Sequence, residues 1–277
     1  SADTTPGGTI TYTPTSGYSG SDSFTVQVSD GTASATRTIS VTVASGIPAT
    51  QQAKLLASDG ATNDRLGYAL AMSGDTAVVG APYRPNFTSR GAAYVFVRSG
   101  TTWSQQALLT ASDGVAGDEF GSYTSVALDG DTILIGAAFK GLPGKNAAGA
   151  VYVYVRNGTT WIEQAKLTAS DSSANASFGR SVEVSGNVAV IGAPGDSSFA
   201  GAVYVFERNG STWTEKAKIT ASDGVASDNF GIDVALQGNT IVVGALGVAG
   251  HAVQEMLLQR LQMRQLVAVD QRQARGD

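Results

Sequence analysis

The hydrophobic and polar positions of this chain repeat themselves between residues 65 and 247. A phrase such as "SFGRSVEVSGNVAVIGAP" (177–194) recurs in related form from Arg65, Glu119 and Asn229. A Phe-Gly pair or a variant opens each copy, and short apolar runs separated by Gly turns follow it. A recurrence at this spacing predicts a repeat architecture in which each unit buries its faces against its neighbours.

Each period contains four strand signals. In the third period they are 181–184, "VAVIGA" (188–193), "GAVYVF" (201–206) and "TWTEKAKIT" (212–220). The middle two are continuous apolar runs, which are typical of strands buried on both faces, whereas the fourth mixes apolar and charged positions like a half-exposed outer strand. The pattern predicts an all-β fold, a partial β-propeller of four-stranded meander blades.

Three periods are complete, and we predict blades near 66–110, 120–168 and 178–220. A lone fourth-strand segment, "QQAKLLAS", precedes them from residue 51. Two strands of a further blade follow them and end near Gly247. The predicted propeller region is therefore 51–249, with three complete blades and partial ones.

The residues "FG…VAVIGAP…GAVYVF" resemble the FG-GAP repeat of integrin α-subunit propellers and many bacterial surface proteins. We interpret the recurring aromatic positions as packing between blades rather than as ligand-stacking groups. Leu66 replaces the phenylalanine in the first copy. The aromatic positions are Phe120, Phe178 and Phe230 after the loops, and Trp103, Trp161 and Trp213 on the fourth strands.

The resemblance implies a closed ring, usually of seven blades, and this chain does not contain enough repeats for one. Three interpretations follow. The chain is a fragment of a larger protein, or two partial rings associate with each other, or the stray strands complete a small four-bladed ring. The fragment interpretation is the most economical.

The two ends of the chain differ from the repeats. Residues 1–45 resemble half of a cadherin-like or immunoglobulin-like β-sandwich module, and 46–50 form a linker. Residues 250–277 are rich in Gln and Arg, and Val253, Met256, Leu257, Leu261 and Met263 are spaced as in an amphipathic helix.

The change in composition at residue 250 falls in the middle of a blade, as a shift of reading frame would place it. A genuine capping tail is the alternative. The last three residues, Arg275-Gly276-Asp277, spell a tripeptide that many integrins recognise, and we interpret them as a chance triplet.

Composition excludes several classes of function. The chain of 277 residues has a formal charge of −5, no cysteine and a single histidine, His251. No basic stripe suits nucleic acid, and no apolar run is long enough to span a bilayer. Neither a Ser-His-Asp triad nor a Cys-based nucleophile or zinc site can be assembled in the propeller, so we predict that the protein is not an enzyme.

One face of the predicted propeller combines the long variable loops 82–91, 138–149 and 194–201 with the loops between blades. Variation over a constant frame is how repeat proteins display binding sites, so we predict ligand binding there. The candidate binding residues are Tyr83, Arg84, Asn86, Phe87, Phe139, Lys140, Lys145, Asp196 and Phe199.

The loops between blades also place aspartates at a fixed spacing, and their oxygens could hold calcium. The family's calcium loop has the form DxDxDGxxD in the first hairpin, and no position here matches it. Turn formation is the alternative role for the first aspartate of each loop, which is Asp59, Asp113, Asp171 or Asp223. The candidate calcium ligands are Asp59, Asp64, Asp113, Asp118, Asp223 and Asp228.

The sequence thus predicts a non-enzymatic adhesion or ligand-binding propeller of a bacterial surface protein. The expected partner is a protein or glycan at a cell surface or matrix, and no cofactor is required. The resemblance and the Ser-, Thr- and Gly-rich composition favour a secreted or cell-surface location. Two alternatives are a lectin-like propeller that stacks sugars on Tyr83, Arg84, Phe139 or Phe199, and a spacer in a multidomain protein.

Overall fold

The structure is a computed structural model, and it describes residues 2–4, 10–12, 20–29, 32, 34–43, 51–85, 88–247 and 252–257. The chain divides into two units, 1–52 and 53–277. In the described residues, no helix has the length and apolar character needed to cross a membrane.

The first unit contains two antiparallel strand pairs. The short strands β1 (Ala2–Thr4) and β2 (Ile10–Tyr12) form one pair, and β3 (Gly20–Ser29) and β4 (Ser34–Val43) form a longer hairpin. Phe24 lies opposite Ile39 in this hairpin, and both side chains are only half-buried. The alternation of half-buried and exposed positions is that of a sheet with one face toward a core.

The second unit contains three four-stranded blades, each a meander in which consecutive strands pair antiparallel. Their strands are β5 (Leu70–Ser73), β6 (Thr76–Ala81), β7 (Ala92–Ser99) and β8 (Thr102–Leu109); β9 (Val126–Asp129), β10 (Thr132–Ala137), β11 (Ala150–Asn157) and β12 (Thr160–Leu167); and β13 (Val182–Ser185), β14 (Val188–Ala193), β15 (Ala202–Asn209) and β16 (Thr212–Ile219). We call these the first, second and third blades. A four-residue helical turn, α1 (Asp196–Phe199), lies in the loop between β14 and β15.

A fourth blade contributes three strands, β17 (Asp233–Gln237), β18 (Thr240–Ala245) and β19 (Ala252–Leu257). The helix predicted for the tail is wrong over Ala252–Leu257, because this segment pairs antiparallel with β18 instead. In the complete blades the third strand pairs with this edge of the second strand. The unpaired backbone N–H and C=O groups of β18 favour a strand more strongly than the helical spacing of the apolar residues favours a helix. Leu261, Met263 and Arg275-Gly276-Asp277 lie outside the described residues.

Burial follows the predicted strand roles. All residues of β6 and β10 are buried, whereas the fourth strand β12 alternates between exposed and half-buried side chains over most of its length. The innermost strands β5, β9, β13 and β17 lie side by side in that order. This arrangement is that of consecutive propeller blades around an axis, as the sequence predicted.

The phenylalanines of the repeat pack between blades, as expected. Phe120 is fully buried among side chains of the first blade, such as Val78 and Val95, and of its own blade, such as Ile133 and Tyr152. Its ring centroid lies 5.6 Å from that of Tyr152 in an edge-on arrangement. Phe178 repeats this packing at the next boundary, with Tyr204 at 5.4 Å.

The glycines of the repeat form a direct backbone contact between blades. A Cβ placed on Gly136 of β10 would lie 1.9 Å from the carbonyl oxygen of Gly179, which opens the next blade. The Gly179 N–H meanwhile donates to the Gly192 carbonyl of its own blade at 2.9 Å. We call this contact the glycine joint, and it recurs as Gly80–Gly121 and Gly192–Gly231. No side chain fits there, so the glycines are required by close approach.

The tryptophans link the outer strands of neighbouring blades. Trp161 donates its indole N–H to Gln106 of the preceding blade at 2.9 Å, and Trp213 donates likewise to Gln164 at 3.4 Å. Both glutamines lie where the pairing of third and fourth strands shifts register by one residue. The bulge thus supplies a hydrogen-bond acceptor for the next blade.

Candidate ligand-binding face

The variable loops and the inter-blade loops form one continuous surface. The N–H groups of Gly117 and Glu119 donate to the carbonyls of Thr88 and Ser89 at 2.9 and 2.8 Å. Corresponding bonds join 146–148 to 175–178 and 198–200 to 227–230. Each variable loop is therefore fixed to the loop that enters the next blade, and we call this surface the loop face.

The residue before each Phe-Gly position has the same unusual backbone conformation. Arg65, Glu119, Ser177 and Asn229 have φ values of 56°, 52°, 55° and 54°. This left-handed region costs a non-glycine residue roughly 1 kcal/mol. Its recurrence in all four blades shows that it belongs to the repeat, while its side chains differ from blade to blade.

Four aromatic side chains form a cluster on the loop face, where the innermost strands begin and the second strands end. The Tyr68 ring centroid lies 6.4 Å from that of Tyr83 and 5.8 Å from that of Tyr123, and Phe139 lies 6.2 Å from Tyr123. All three contacts are edge-on. The cluster thus joins the first and second blades by ring contacts, and Tyr68 remains exposed.

Two arginines stack on this aromatic cluster. The Cζ of Arg65 lies 4.2 Å from the Tyr83 ring centroid, and the Cζ of Arg180 lies 3.7 Å from that of Tyr123. Cation–π contacts of this kind attract a guanidinium to the face of a ring. Because Arg180 comes from the third blade, the cluster and its arginines span three blades.

Glu119 lies close enough to both arginines to interact electrostatically with them. Burial raises the pKa of the Glu119 carboxyl, and Arg65 and Arg180 partly oppose that rise. The Glu119 charge in turn is the largest cause of the raised pKa of Tyr83. Glu119, Arg65, Arg180 and Tyr83 therefore form one electrostatic unit.

The structure places the predicted binding residues in different environments. Tyr83 and Phe139 belong to the aromatic cluster, and Phe199 is 48% exposed on the loop face. Arg84 forms an ion pair with Asp59. Asn86 and Phe87 lie outside the described residues.

Three other predicted binding residues take part in contacts within the fold. Lys140 is buried, with its Nζ 3.0 Å from Asp118, and Asp196 is buried, 2.7 Å from the Nζ of Lys218. Lys145 donates from Nζ to the Ser172 carbonyl at 2.5 Å. These contacts stabilise the loop face, and a direct role in ligand binding stays a prediction for all three.

The first aspartate of three inter-blade loops accepts a hydrogen bond from a tyrosine of the next blade. Tyr94 donates to Asp59, Tyr152 to Asp113 and Tyr204 to Asp171, at 2.8, 2.5 and 2.7 Å. Burial pushes the pKa of Asp113 upward, but the hydrogen bonds from Lys166 and Tyr152 outweigh it and lower the pKa to about 2. These aspartates thus link blades.

The second aspartate of the pair closes the loop on itself. The carboxylates of Asp64, Asp118 and Asp228 accept from the backbone N–H three residues earlier, at 2.8, 2.7 and 2.8 Å. This contact forms a turn, a role that the sequence had suggested for the first aspartates and not for these. No group of three or more acidic or histidine ligands converges within the part of the chain that the structure describes. Calcium binding by the aspartates of these loops, including Asp223, stays a prediction.

Comparison with known proteins agrees with this geometry. The sequence profile of the FG-GAP repeat matches residues 49–96, 103–154, 161–206 and 213–254. The chain belongs to the FG-GAP repeat family. The profile of a bacterial Ig domain matches residues 1–44 of this FG-GAP protein, which agrees with the immunoglobulin-like resemblance of its N-terminal region.

Human integrin alpha-11 is similar to this FG-GAP chain, at 31% identity over 192 residues. The matched region covers 61% of the chain but only 16% of the integrin subunit. The similarity therefore concerns the repeats and not the whole of the larger protein.

The sequence analysis did not identify Arg65, Tyr68, Glu119, Tyr123 or Arg180 as site residues. A signal was nonetheless present, because all five lie within three residues of the glycine in a Phe-Gly pair or its variant. The repeat holds those positions at the start of the innermost strand of each blade, and the copies differ there between aromatic, acidic and basic side chains.

Proposed function

We propose that this FG-GAP propeller is a non-enzymatic adhesion module that acts outside the cell and binds a protein ligand through the loop face. The observation that carries the proposal is the aromatic cluster, which exposes Tyr68 on a surface built by three blades. Aromatic residues with fixed neighbours contribute binding area at a small cost in conformational entropy, and they are enriched in protein interfaces.

The resemblance to an integrin α subunit and the bacterial Ig match support the same function. Both belong to the kind of protein in which repeated β modules present a ligand-binding surface. The inter-blade hydrogen bonds support it as well, because they fix the loops before a ligand arrives and so lower the cost of ordering them.

A matched pair of variants tests the proposal. Phe199 on the loop face and Ile162 on the outer strand β12 are 48% and 50% exposed. The full chain is applied to a panel of purified extracellular-matrix proteins in surface plasmon resonance. We expect Phe199→Ser to weaken binding to the recognised protein about tenfold, roughly 1.4 kcal/mol, and Ile162→Ser to leave it unchanged.

The reverse result, with Ile162→Ser weakening binding and Phe199→Ser neutral, would contradict the proposal. A glycan array run with the same variants tests the lectin alternative. Binding of a neutral sugar that is lost in Phe199→Ser, without binding to any protein of the panel, would replace the protein ligand by a carbohydrate.

A further inference from the structure

Arg65 and Arg180 differ from the other stacked arginines of the propeller in how they use their N–H groups. Arg98 and Arg208 stack on Trp103 and Trp213 and also donate to the protein, from Nε to Asp75 and to Asn187 at 2.8 and 3.0 Å. The side chains of Arg65 and Arg180 form neither hydrogen bonds nor ion pairs with the described residues. They lie over their rings and near the charge of Glu119.

A guanidinium that lies over a ring and makes no hydrogen bond within the fold keeps its N–H groups available to another acceptor. Those groups form a fork that matches the two oxygens of a carboxylate. We propose that the loop face binds an acidic side chain of a protein ligand between Arg65 and Arg180, beside Tyr68 and Tyr123. This inference rests on the proposed function and specifies the chemistry of its ligand.

The charge of the site favours a single carboxylate. The two arginines and Glu119 carry a net charge of +1, which one carboxylate neutralises. The Glu119 carboxylate makes no hydrogen bond or ion pair with a described residue, so it leaves the forks of both arginines free while it reduces their total charge. Glu119 thus limits how much negative charge the site accepts.

The surroundings of the site favour an acidic protein segment over a polyanionic glycan. The whole chain carries a formal net charge of −5. A sulfated polysaccharide would bring many charges toward this surface and be repelled by it. The rings of Tyr68 and Tyr123 add apolar area for the neighbouring residues of a peptide.

The probe is an array of synthetic dodecapeptides with one central Asp or Glu in neutral surroundings. Each peptide is paired with its Asn or Gln counterpart and with a Lys counterpart, and heparin oligosaccharides are spotted beside them. The full-length chain carries a fluorescent label. We expect acidic peptides to bind at least tenfold more tightly than their amide counterparts, because a charge-assisted hydrogen bond contributes more than a neutral one.

Variants assign the preference to the site. We expect Arg65→Gln and Arg180→Gln each to reduce binding of the acidic peptides about tenfold, and Arg65→Lys to give an intermediate loss because it keeps the charge without the fork. Arg90→Gln is the matched control, since Arg90 is an exposed arginine of the same face. Thermal unfolding of each variant by circular dichroism establishes that it is folded.

Glu119→Gln gives the most specific result. It should tighten binding of acidic peptides several-fold, because it removes a repelling charge. Weaker binding in Glu119→Gln together with a preference for the Lys peptides would overturn the inference in favour of a cationic ligand. Preference for heparin over every peptide would overturn it in favour of a glycan.

The outcomes also separate this inference from the proposed function. If a protein ligand is lost in Phe199→Ser but is insensitive to Arg65→Gln and Arg180→Gln, the loop face binds it and the carboxylate site is wrong. If Ile162→Ser alone abolishes binding, both proposals fail.

Discussion

One sequence pattern forms both the boundary between the second and third blades and the open face of the first blade. The two regions differ in how closely the glycines of the repeat are packed. At the boundary, Gly179 lies against Gly136 so closely that no Cβ fits. At the open face, no described atom lies within 4 Å of a Cβ placed on Gly67, the corresponding glycine of the first blade.

The apolar side chains of the innermost strands show the same contrast. Leu70 and Met72 of the first blade are 69% and 70% exposed, whereas Val126 and Leu128, at the same positions of the second blade, are 7% and 9% exposed. The glycine of the second strand and the glycine of the Phe-Gly pair are therefore two halves of one contact between blades. A single copy of the repeat carries both glycines, and each of them needs a different neighbouring blade to complete the contact.

The largest loss of stability is expected when the glycine joint is disrupted. Gly136→Ala places a Cβ against a backbone carbonyl that cannot move without shifting the whole blade. We expect the free energy of unfolding to fall by about 3 kcal/mol or more, as overpacking against backbone requires. Urea denaturation followed by circular dichroism measures it.

Gly244→Ala is the matched control, because the nearest described atom to its Cβ is the Ile232 Cγ2 at 3.4 Å. We expect a change below about 1 kcal/mol there. Equal losses in the two variants would show that the glycines act through strand conformation and not through the joint.

A second comparison concerns the aromatic position of the repeat. Phe178 is fully buried between two blades, and Leu66 is half-buried at the same position of the first blade. We expect Phe178→Ala to destabilise the propeller by about 3 kcal/mol and Leu66→Ala by about 1–2 kcal/mol, since less apolar contact is lost at the open face. The same denaturation series measures both, and a larger loss for Leu66→Ala would contradict the contrast between closed and open faces.

A third test uses the ion pairs that link blades. The folded-state pKa of Asp113, about 2, lies below its ordinary value of 3.8, so its contribution to stability is present above pH 4 and is lost as the pH falls toward 2. Because the Asp113 side chain is half-exposed, solvent screening reduces that contribution to about 1 kcal/mol. Asp113→Asn should cost this amount at pH 7 and almost nothing at pH 2. A cost that does not depend on pH would assign the effect to the Tyr152 hydrogen bond alone.

The smallest change in stability is expected when the first blade is given the lysine that the second and third blades have beside their tyrosine. Leu108 lies opposite Tyr94 on the paired strand, where the second and third blades place Lys166 and Lys218 opposite Tyr152 and Tyr204. Leu108→Lys should bring an ammonium group to Asp59 and raise the free energy of unfolding by about 0.5 kcal/mol. A slightly higher melting temperature would show this gain. The double variant Leu108→Lys/Asp59→Asn should lose that gain. A gain that persists would come from removing an exposed leucine.

Much of this fold was predictable because the repeat is local. The apolar runs of β6, β10 and β14 and the Gly turns between them give strand order and burial directly. The tail was mispredicted over Ala252–Leu257, since the spacing of its apolar residues is helical and only the free edge of β18 makes it a strand.

The candidate site was predictable only as a face. Its aromatic cluster joins Tyr68, Tyr123 and Phe139, and Arg180 reaches it from a third blade. Contacts between residues that are more than 50 positions apart depend on the angle between blades, which no local pattern contains. Lys140 shows the opposite case. Its place in a variable loop predicted an exposed charge, but its side chain is buried and forms an ion pair with the buried Asp118.

The indole hydrogen bonds between blades have an optical consequence. The chain contains three tryptophans, and each lies at the start of the fourth strand of a different blade. Trp161 emission therefore reports the seam between the first two blades, and Trp213 emission reports the next seam. Trp103 packs in one cluster with Leu55 and Ala57, so its emission reports the contact of the first blade with the segment before it. Variants that keep one indole at a time would let time-resolved fluorescence follow the order in which the seams open.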